Sequence, residues 1–192
     1  MKPLTLDDIE SIEAYEKHRQ EVRQRIIEIK RVRRIALGPR VSLVFENRET
    51  MRFQVQEMCR IERITDPRLV QQEVDVYNDL LPEGLAIGAT LLIEVTQEDD
   101  MPAVLKELSG LEETIWLRYG EFAIHAEAEP GRSTEEKTST VHYLTFRFSP
   151  AARDALADAL SVRVFAEHPH YQHSTELRRE TVASLLHDLT ES

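Results

Sequence analysis

The chain has 192 residues, of which 41% are hydrophobic and 31% are charged, the composition of a globular protein rather than a disordered one. No stretch approaches the roughly 18 consecutive apolar residues that a membrane-spanning helix requires. Its start, MKPLTLDDIE, lacks the apolar core of a secretion signal. We therefore expect one domain over residues 1–192 that stays in the cytoplasm and has no membrane partner.

The net charge and the cysteine content exclude several classes of site. The formal charge of −11 makes nucleic acid and anionic membranes unfavourable partners. Because Cys59 is the only cysteine, the chain has no internal disulfide, four-cysteine zinc site or cluster held by its own cysteines alone. It also lacks Walker, GxGxxG, GxSxG and CxxC motifs, so the sequence gives no support for the common nucleotide-binding, dinucleotide-binding or serine-hydrolase mechanisms.

The N-terminal residues, 1–36, are predicted to form a helical arm. Asp8 follows Thr5 by three residues, which is a capping-box pattern at a helix start. Apolar residues then recur at helical spacing, at Val22, Ile26 and Ile29. Gly38-Pro39 stops the pattern. We expect one long amphipathic helix that packs on a core formed by residues 41–192 or against a second copy of the chain.

The rest of the chain alternates irregularly between strands and helices. Strands are predicted near 41–46, 88–96, 113–128, 139–148 and 161–167, the third being a hairpin about Tyr119-Gly120-Glu121. Helices are predicted at 48–64 after the N-cap Asn47, and near 67–76, 101–110, 150–159 and 177–189, with a polar loop at 129–139. This order indicates an α+β fold with a mostly antiparallel sheet covered by helices.

A cluster of basic residues precedes the first predicted strand, although the chain as a whole is acidic. Its members are Lys30, Arg31, Arg33, Arg34 and Arg40. Cations are favoured at the C-terminus of a helix by the helix dipole. No aromatic residues or groove-reading motif accompany them, so nucleic-acid binding is the lesser hypothesis.

The helix predicted at 48–64 is apolar on two sides, so its polar groups must find partners. Glu57 and Arg60 at i,i+3, and Gln56 and Arg60 at i,i+4, are within reach of one another. One interpretation, which we favour, is a structural salt-bridge network that holds this helix to its neighbours. The other is a polar pocket in which Arg60 or Arg63 binds an anion and Glu46 or Glu57 acts as acid or base. Cys59 lies on the apolar face and is expected to be a buried, inert thiol.

Histidines raise the question of a metal site. His168, His170 and His173 fall within EHPHYQH, where a turn could bring three imidazoles together and leave a position open for hydrolytic or redox chemistry. No HExxH motif supports this reading, and Pro169 fixes the backbone in its middle. His142 follows the apolar face of its strand and is expected to be a hydrogen-bonded core residue. A pair formed with His125 across two strands is the alternative.

Short pieces spread from end to end of the chain form a specific pattern. They are Leu37-Gly38-Pro39, Phe45-Glu46-Asn47-Arg48, Gln54-Val55-Gln56-Glu57-Met58 with Arg60, Glu62 and Arg63, Tyr77-Asn78, Ala89-Thr90-Leu91, Thr138-Ser139, and His168-Pro169 with Tyr171. In these pieces the sequence resembles a bacterial family catalogued as a domain of unknown function, number 3501. The resemblance implies genes beside rubrerythrin-like proteins and iron–sulfur oxidoreductases, hence a cytoplasmic redox or peroxide-stress setting. It implies no catalytic residues, and it includes His168 but not His142, His170 or His173.

Two functional hypotheses follow. The first is a non-catalytic accessory protein that binds a rubrerythrin-like protein or an iron–sulfur oxidoreductase. In one version of this hypothesis the protein also forms homo-oligomers. The second is an enzyme or ligand sensor with one polar pocket, and its candidate residues are Glu46, Gln56, Glu57, Arg60, Arg63, Tyr77, Asn78, His168 and Tyr171. A metal-dependent variant adds His170 and His173 as ligands with His168. The sequence assigns no cofactor and leaves open whether the protein is an enzyme.

Overall fold

In the computed structural model, which describes residues 1–134 and 138–190, the strands form one antiparallel sheet. The strands are β1 Arg34–Ala36, β2 Val41–Phe45, β3 Ala86–Ile93, β4 Ile115–Tyr119, β5 Phe122–Ala128, β6 Val141–Arg147, β7 Arg163–His168 and β8 Tyr171–Glu176. Their order across the sheet is β1-β2-β3-β6-β5-β4-β7-β8. The prediction of a mixed helix and sheet fold with an antiparallel sheet is confirmed.

The sheet curls on itself into a nearly closed barrel. Its edge strands meet where the Thr175 hydroxyl of β8 donates 2.6 Å to the carbonyl of Ala36 in β1. Every second side chain of a strand points inward, so Phe45, Ile87 and Phe146 meet in one main core. The sequence did not reveal β1, because its three residues lie within the predicted helical arm, or β8, because this edge strand is mostly polar.

Seven α-helices are found in the described ranges. They are α1 Ile12–Glu16, α2 Arg19–Arg33, α3 Arg48–Ile61, α4 Pro67–Asn78, α5 Met101–Glu107, α6 Pro150–Ala157 and α7 Arg179–Thr190. The predicted N-caps are present at Asn47, whose side chain accepts from Thr50 N, and at Ser149 before α6. Within residues 1–134 and 138–190, no helix is both long and apolar enough to span a membrane. Residues 135–137 of the polar loop predicted at 129–139 lie outside the described ranges.

The long N-terminal helix predicted from the sequence is wrong. The capping box of Thr5 and Asp8 is present, but it begins a single 3-10 turn at Leu6–Asp8, and two separate helices, α1 and α2, follow. The helix cannot continue through Glu10, because the side chain of Gln56 holds both its backbone N–H and its backbone carbonyl. A tertiary contact therefore overrides the helical periodicity of the sequence.

A second apolar cluster lies between α3, α4 and the N-terminal segment. It consists of Leu4, Met51, Val55, Cys59, Val74 and Leu81. Cys59 is buried as expected, and burial raises the pKa of its thiol, which keeps it protonated and unreactive. Helix α2 packs against β2, and all residues of this strand are buried, which explains why its sequence is apolar apart from Ser42.

Candidate functional site

Glu57 is the centre of an ion-pair network between α3 and the preceding helices. Its Oε1 accepts from the Tyr15 hydroxyl at 2.7 Å and from Arg19 Nε at 2.8 Å. Its Oε2 accepts from the second nitrogen of Arg19 at 2.9 Å and from Arg60 at 3.0 Å. Hydrogen bonds from Arg19 hold the pKa of Glu57 near 2, although burial opposes this shift. All acceptor positions of the carboxylate are engaged, so the network joins helices rather than offering a free acid or base.

Glu57→Gln is expected to reduce the free energy of unfolding at pH 7 by about 1–2 kcal/mol, after allowance for solvent screening at the partly exposed arginines. The folded-state pKa is depressed from 4.5 to about 2. The stabilisation is therefore complete above pH 4.5 and is lost as the pH falls toward 2. Urea unfolding of both proteins between pH 7 and 2 should show the two curves converging in this window. Glu62→Gln, at the exposed C-cap of the same helix, is the control. A difference between wild type and Glu57→Gln that does not change with pH would contradict the assignment.

Gln56 and Asn78 act as amide clamps on the N-terminal segment. Gln56 accepts from Glu10 N at 2.8 Å and donates to Glu10 O at 2.9 Å. Asn78 does the same to Leu4, at 2.8 and 2.9 Å. Each side chain imitates the pairing of a neighbouring strand, so both residues fasten residues 4–10 across α3 and α4.

His168 and Tyr171 lie in the hairpin that joins β7 to β8. The Nε2 of His168 lies 3.0 Å from the carbonyl of Ser109, which can only accept, so Nε2 carries the proton. Its Nδ1 accepts from the backbone N–H of His170 at 3.3 Å. The Tyr171 hydroxyl donates to Leu37 O at 2.8 Å and accepts from Arg40 N at 2.9 Å, which ties β8 to the turn after β1.

The three histidines of EHPHYQH do not converge on one point. Both ring nitrogens of His168 are occupied, and the ring of His173 packs against Tyr171 with centroids 4.4 Å apart. In the part of the chain that the structure describes, no group of three or more His, Cys, Asp or Glu residues is placed to hold a metal ion.

The remaining candidate residues also have separate surroundings. Arg63 is exposed and takes a left-handed conformation, φ 54°, just after α3. Tyr77 packs on the second apolar cluster, and burial raises the pKa of its hydroxyl. Glu46 lies immediately after β2, where its Oε1 accepts from Thr90. The single-pocket hypothesis required convergence, whereas the structure distributes these residues over different elements with different partners.

His142 and Glu112 form a buried pair at the start of β6. Nδ1 of His142 lies 3.7 Å from Glu112 Oε1, and its Nε2 contacts Thr138 Oγ1 at 2.8 Å and the Ser139 carbonyl at 2.9 Å. Because that carbonyl can only accept, Nε2 carries the proton and does not act as a base toward Thr138. The prediction of a hydrogen-bonded core histidine is confirmed, and the alternative pair with His125 is wrong, since His125 pairs with Trp116 in the sheet.

The basic cluster before β2 is largely neutralised within the molecule. Arg31 pairs with Glu28, Arg33 with Asp188, Arg34 with Glu94 and Arg40 with Asp99. Arginines that are held by carboxylates are poor ligands for phosphate, which disfavours the nucleic-acid hypothesis.

An acidic cavity of about 210 Å³ lies between the outer face of the sheet and the helices α3 and α4. Its lining residues are Glu46, Met51, Asp79, Leu80, Ala89, Glu127, Ala128, Glu129, Tyr143, Leu144 and Thr145. Of these, only Glu46 was a candidate from the sequence. Alternation in β5 and β6 places Glu127, Tyr143 and Thr145 on outward-facing positions, but the sequence does not reveal that β3, β6 and β5 are neighbours.

An apolar groove of about 580 Å³ runs between the N-terminal segment and the loop that joins α3 to α4. Its lining residues are Leu6, Ile9, Glu10, Ser11, Ile12, Glu13, Cys59, Ile64, Thr65, Pro67 and Val70. Leu6 is 38% exposed, and Leu69, beside Val70 on α4, is 48% exposed. Sequence reasoning missed the groove because it forms only where the broken N-terminal segment crosses α3 and α4.

Comparisons with known proteins give a family and a solved structure, both described as being of unknown function. The sequence model of the family DUF3501, described as a protein of unknown function, matches residues 3–189. A crystal structure at 1.90 Å of a novel protein of unknown function from Burkholderia pseudomallei K96243 is similar, with a TM-score of 0.90 and 36% identity. That similarity covers 98% of this chain and 100% of the other. No curated protein matches the chain.

Proposed function

Because the chain belongs to the DUF3501 family, which is described only as being of unknown function, we propose a function from its surface. The protein is a non-catalytic accessory protein that binds a partner protein of a cytoplasmic redox or peroxide-stress system. The observation that carries this proposal is the apolar groove between the N-terminal segment and α4.

The groove has the chemistry of a docking surface for an apolar segment. Ile9, Ile12 and Ile64 line its wall, and the exposed Leu6 adds to the apolar surface at its edge. A contiguous apolar patch of this kind on a soluble domain marks a surface that is covered by another molecule.

The charges of the groove define the partner further. Of its two carboxylates, Glu10 pairs with Arg52 at 3.0 Å, whereas Glu13 has no lysine or arginine beside it among the lining residues, and the whole chain carries −11. A complementary occupant is an amphipathic helix with an apolar face and basic flanks. The family resemblance adds the kind of protein to test, a rubrerythrin-like protein or an iron–sulfur oxidoreductase encoded nearby. The single cysteine agrees with this role, since an electron carrier held by cysteines would belong to the partner.

Charged substitutions in the groove are expected to weaken partner binding by about 10-fold or more each, because they place a charge against the apolar segment. The variants are Leu6→Glu and Thr65→Glu, and both positions line the groove and are exposed in the free protein, so folding is spared. Binding is measured by calorimetry with the purified rubrerythrin-like protein and the purified oxidoreductase. Leu160→Glu, an exposed leucine outside the groove, is the control.

Three results would contradict the proposal. The first is that neither purified partner binds at low or at physiological salt. The second is that the groove variants bind as tightly as wild type, and the third is that Leu160→Glu loses as much affinity as they do. Self-association that the groove variants abolish would instead assign the groove to a second copy of the chain.

A further inference from the structure

We propose that the acidic cavity on the outer face of the sheet binds a small primary ammonium compound, with Glu46 as its anionic anchor. The site is separate from the apolar groove, so it stands or falls independently of the proposed docking function.

The floor of the acidic cavity follows a row of paired residues that runs from the end of β2 across β3 and β6 to β5. The backbone N–H of Glu46 bonds to Gly88 O, Gly88 is opposite Thr145, and Thr145 is opposite Glu127. Position 88 favours glycine, because a Cβ there would lie 3.1 Å from the carbonyl oxygen of Leu80. Its absence lets the turn after α4 close over the row, which brings Leu80 to the cavity wall.

Glu46 lacks a full set of partners. Its side chain is 3% exposed, its Oε1 accepts from Thr90 Oγ1 at 2.8 Å, and its Oε2 is buried without any hydrogen-bond partner. A buried carboxylate oxygen without a donor is unfavourable, because folding removes its water and supplies no replacement. A ligand that donates to Oε2 would remove this deficit.

The charges around the cavity select a cation. The titratable carboxylates that line it are Glu46, Asp79, Glu127 and Glu129. At the exposed rim, Glu127 pairs with Arg147 at 2.8 Å and Glu129 pairs with Arg132. These arginines compensate the rim, whereas within the described residues the carboxylate of Glu46 at the buried end accepts a hydrogen bond only from the neutral hydroxyl of Thr90. Arg33 donates to the backbone carbonyl of Glu46 at 3.2 Å, not to its carboxylate. Repulsion by the carboxylates excludes an anionic ligand.

The single unpaired oxygen of Glu46 favours an ammonium group over other cations. A guanidinium binds a carboxylate best through two parallel hydrogen bonds, but Thr90 already occupies one oxygen of Glu46. A divalent ion needs several oxygen ligands at once, and the described residues contain no group of three or more acidic, histidine or cysteine ligands in such an arrangement. A primary ammonium is compact and donates in three directions. Met51 and Leu80 offer apolar wall to a short alkyl chain, and the volume suits a ligand smaller than a drug-sized molecule.

Propylammonium chloride is the probe, titrated by calorimetry and by NMR chemical-shift mapping. We expect saturable binding to wild type at one site, with shifts at Glu46, Thr90 and Tyr143. Glu46→Gln keeps an oxygen for Thr90 but removes the charge, and we expect it to weaken binding by about 10- to 100-fold. Tetramethylammonium has no N–H donor, and we expect it to bind wild type at least about 10-fold more weakly than propylammonium.

Glu121→Gln is the matched control, because it makes the same change in net charge at an exposed turn outside the cavity. It should bind propylammonium as wild type does. Propylammonium should also raise the thermal midpoint of wild type and of Glu121→Gln, but not that of Glu46→Gln. The proposal is overturned by an absence of saturable binding, by equal affinities of Glu46→Gln and wild type, or by an equal loss in Glu121→Gln. Magnesium binding that displaces propylammonium and requires Glu46 would overturn it in favour of a metal site.

Discussion

Arg33→Met is expected to lower the free energy of unfolding by about 3–5 kcal/mol, because it breaks a buried and fully bonded ion pair. Arg33 is 1% exposed, at the C-terminal end of α2. Its guanidinium donates to the Asp188 carboxylate and to Ser184 Oγ on α7. It also donates to the carbonyl of Phe45 at 2.7 Å. One side chain thus joins α2, α7 and the end of β2, and methionine replaces its volume without any of its donors.

Urea unfolding at pH 7, followed by circular dichroism, measures this loss. Arg31→Met, on the same helix but in an exposed pair with Glu28, is the matched control and should cost less than about 1 kcal/mol. Arg33→Met combined with Asp188→Leu should be more stable than Arg33→Met alone, since the second change removes the buried carboxylate that lost its guanidinium. A loss in Arg33→Met no larger than that of Arg31→Met would mean that the buried pair does not hold these elements together.

Gly38→Ala is expected to cost about 2–4 kcal/mol, the sum of backbone strain and overpacking. Gly38 has φ +80°, a conformation that L residues rarely adopt. An added Cβ would lie 2.5 Å from Cγ of His173 and 2.6 Å from the hydroxyl oxygen of Tyr171. Both side chains belong to β8, so the substitution pushes apart the two edges that close the barrel.

Thermal and urea unfolding of Gly38→Ala are compared with those of Gly110→Ala. Gly110 has φ +85°, but a Cβ added there would meet no atom within 4 Å beyond its chain neighbours, so its substitution carries the strain without the clash. Gly38→Ala should therefore be the less stable variant. Adding His173→Ala should recover part of the difference, because it removes the nearest atoms. Equal stability of the two glycine variants would show that the close approach of β8 contributes nothing.

The sequence by itself determined the features that depend on neighbouring residues. Asn47 predicts the start of α3 because an N-cap acts within one turn, and Glu57 and Arg60 pair because a helix brings i and i+3 together. The mixed fold and its antiparallel sheet also follow from local patterns of alternation and turns. The resemblance to family 3501, which rests on short local motifs, agrees with the family match over residues 3–189.

Only the tertiary structure decided the features that depend on distant contacts. Gln56 breaks the N-terminal helix by binding Glu10, which lies 46 positions away. Arg33 is buried because Asp188, 155 positions away, receives its charge. The acidic cavity exists because β6 separates β3 from β5, an order that no local pattern records. Periodicity reports which face of an element is buried, but it carries no information about which other element lies against that face.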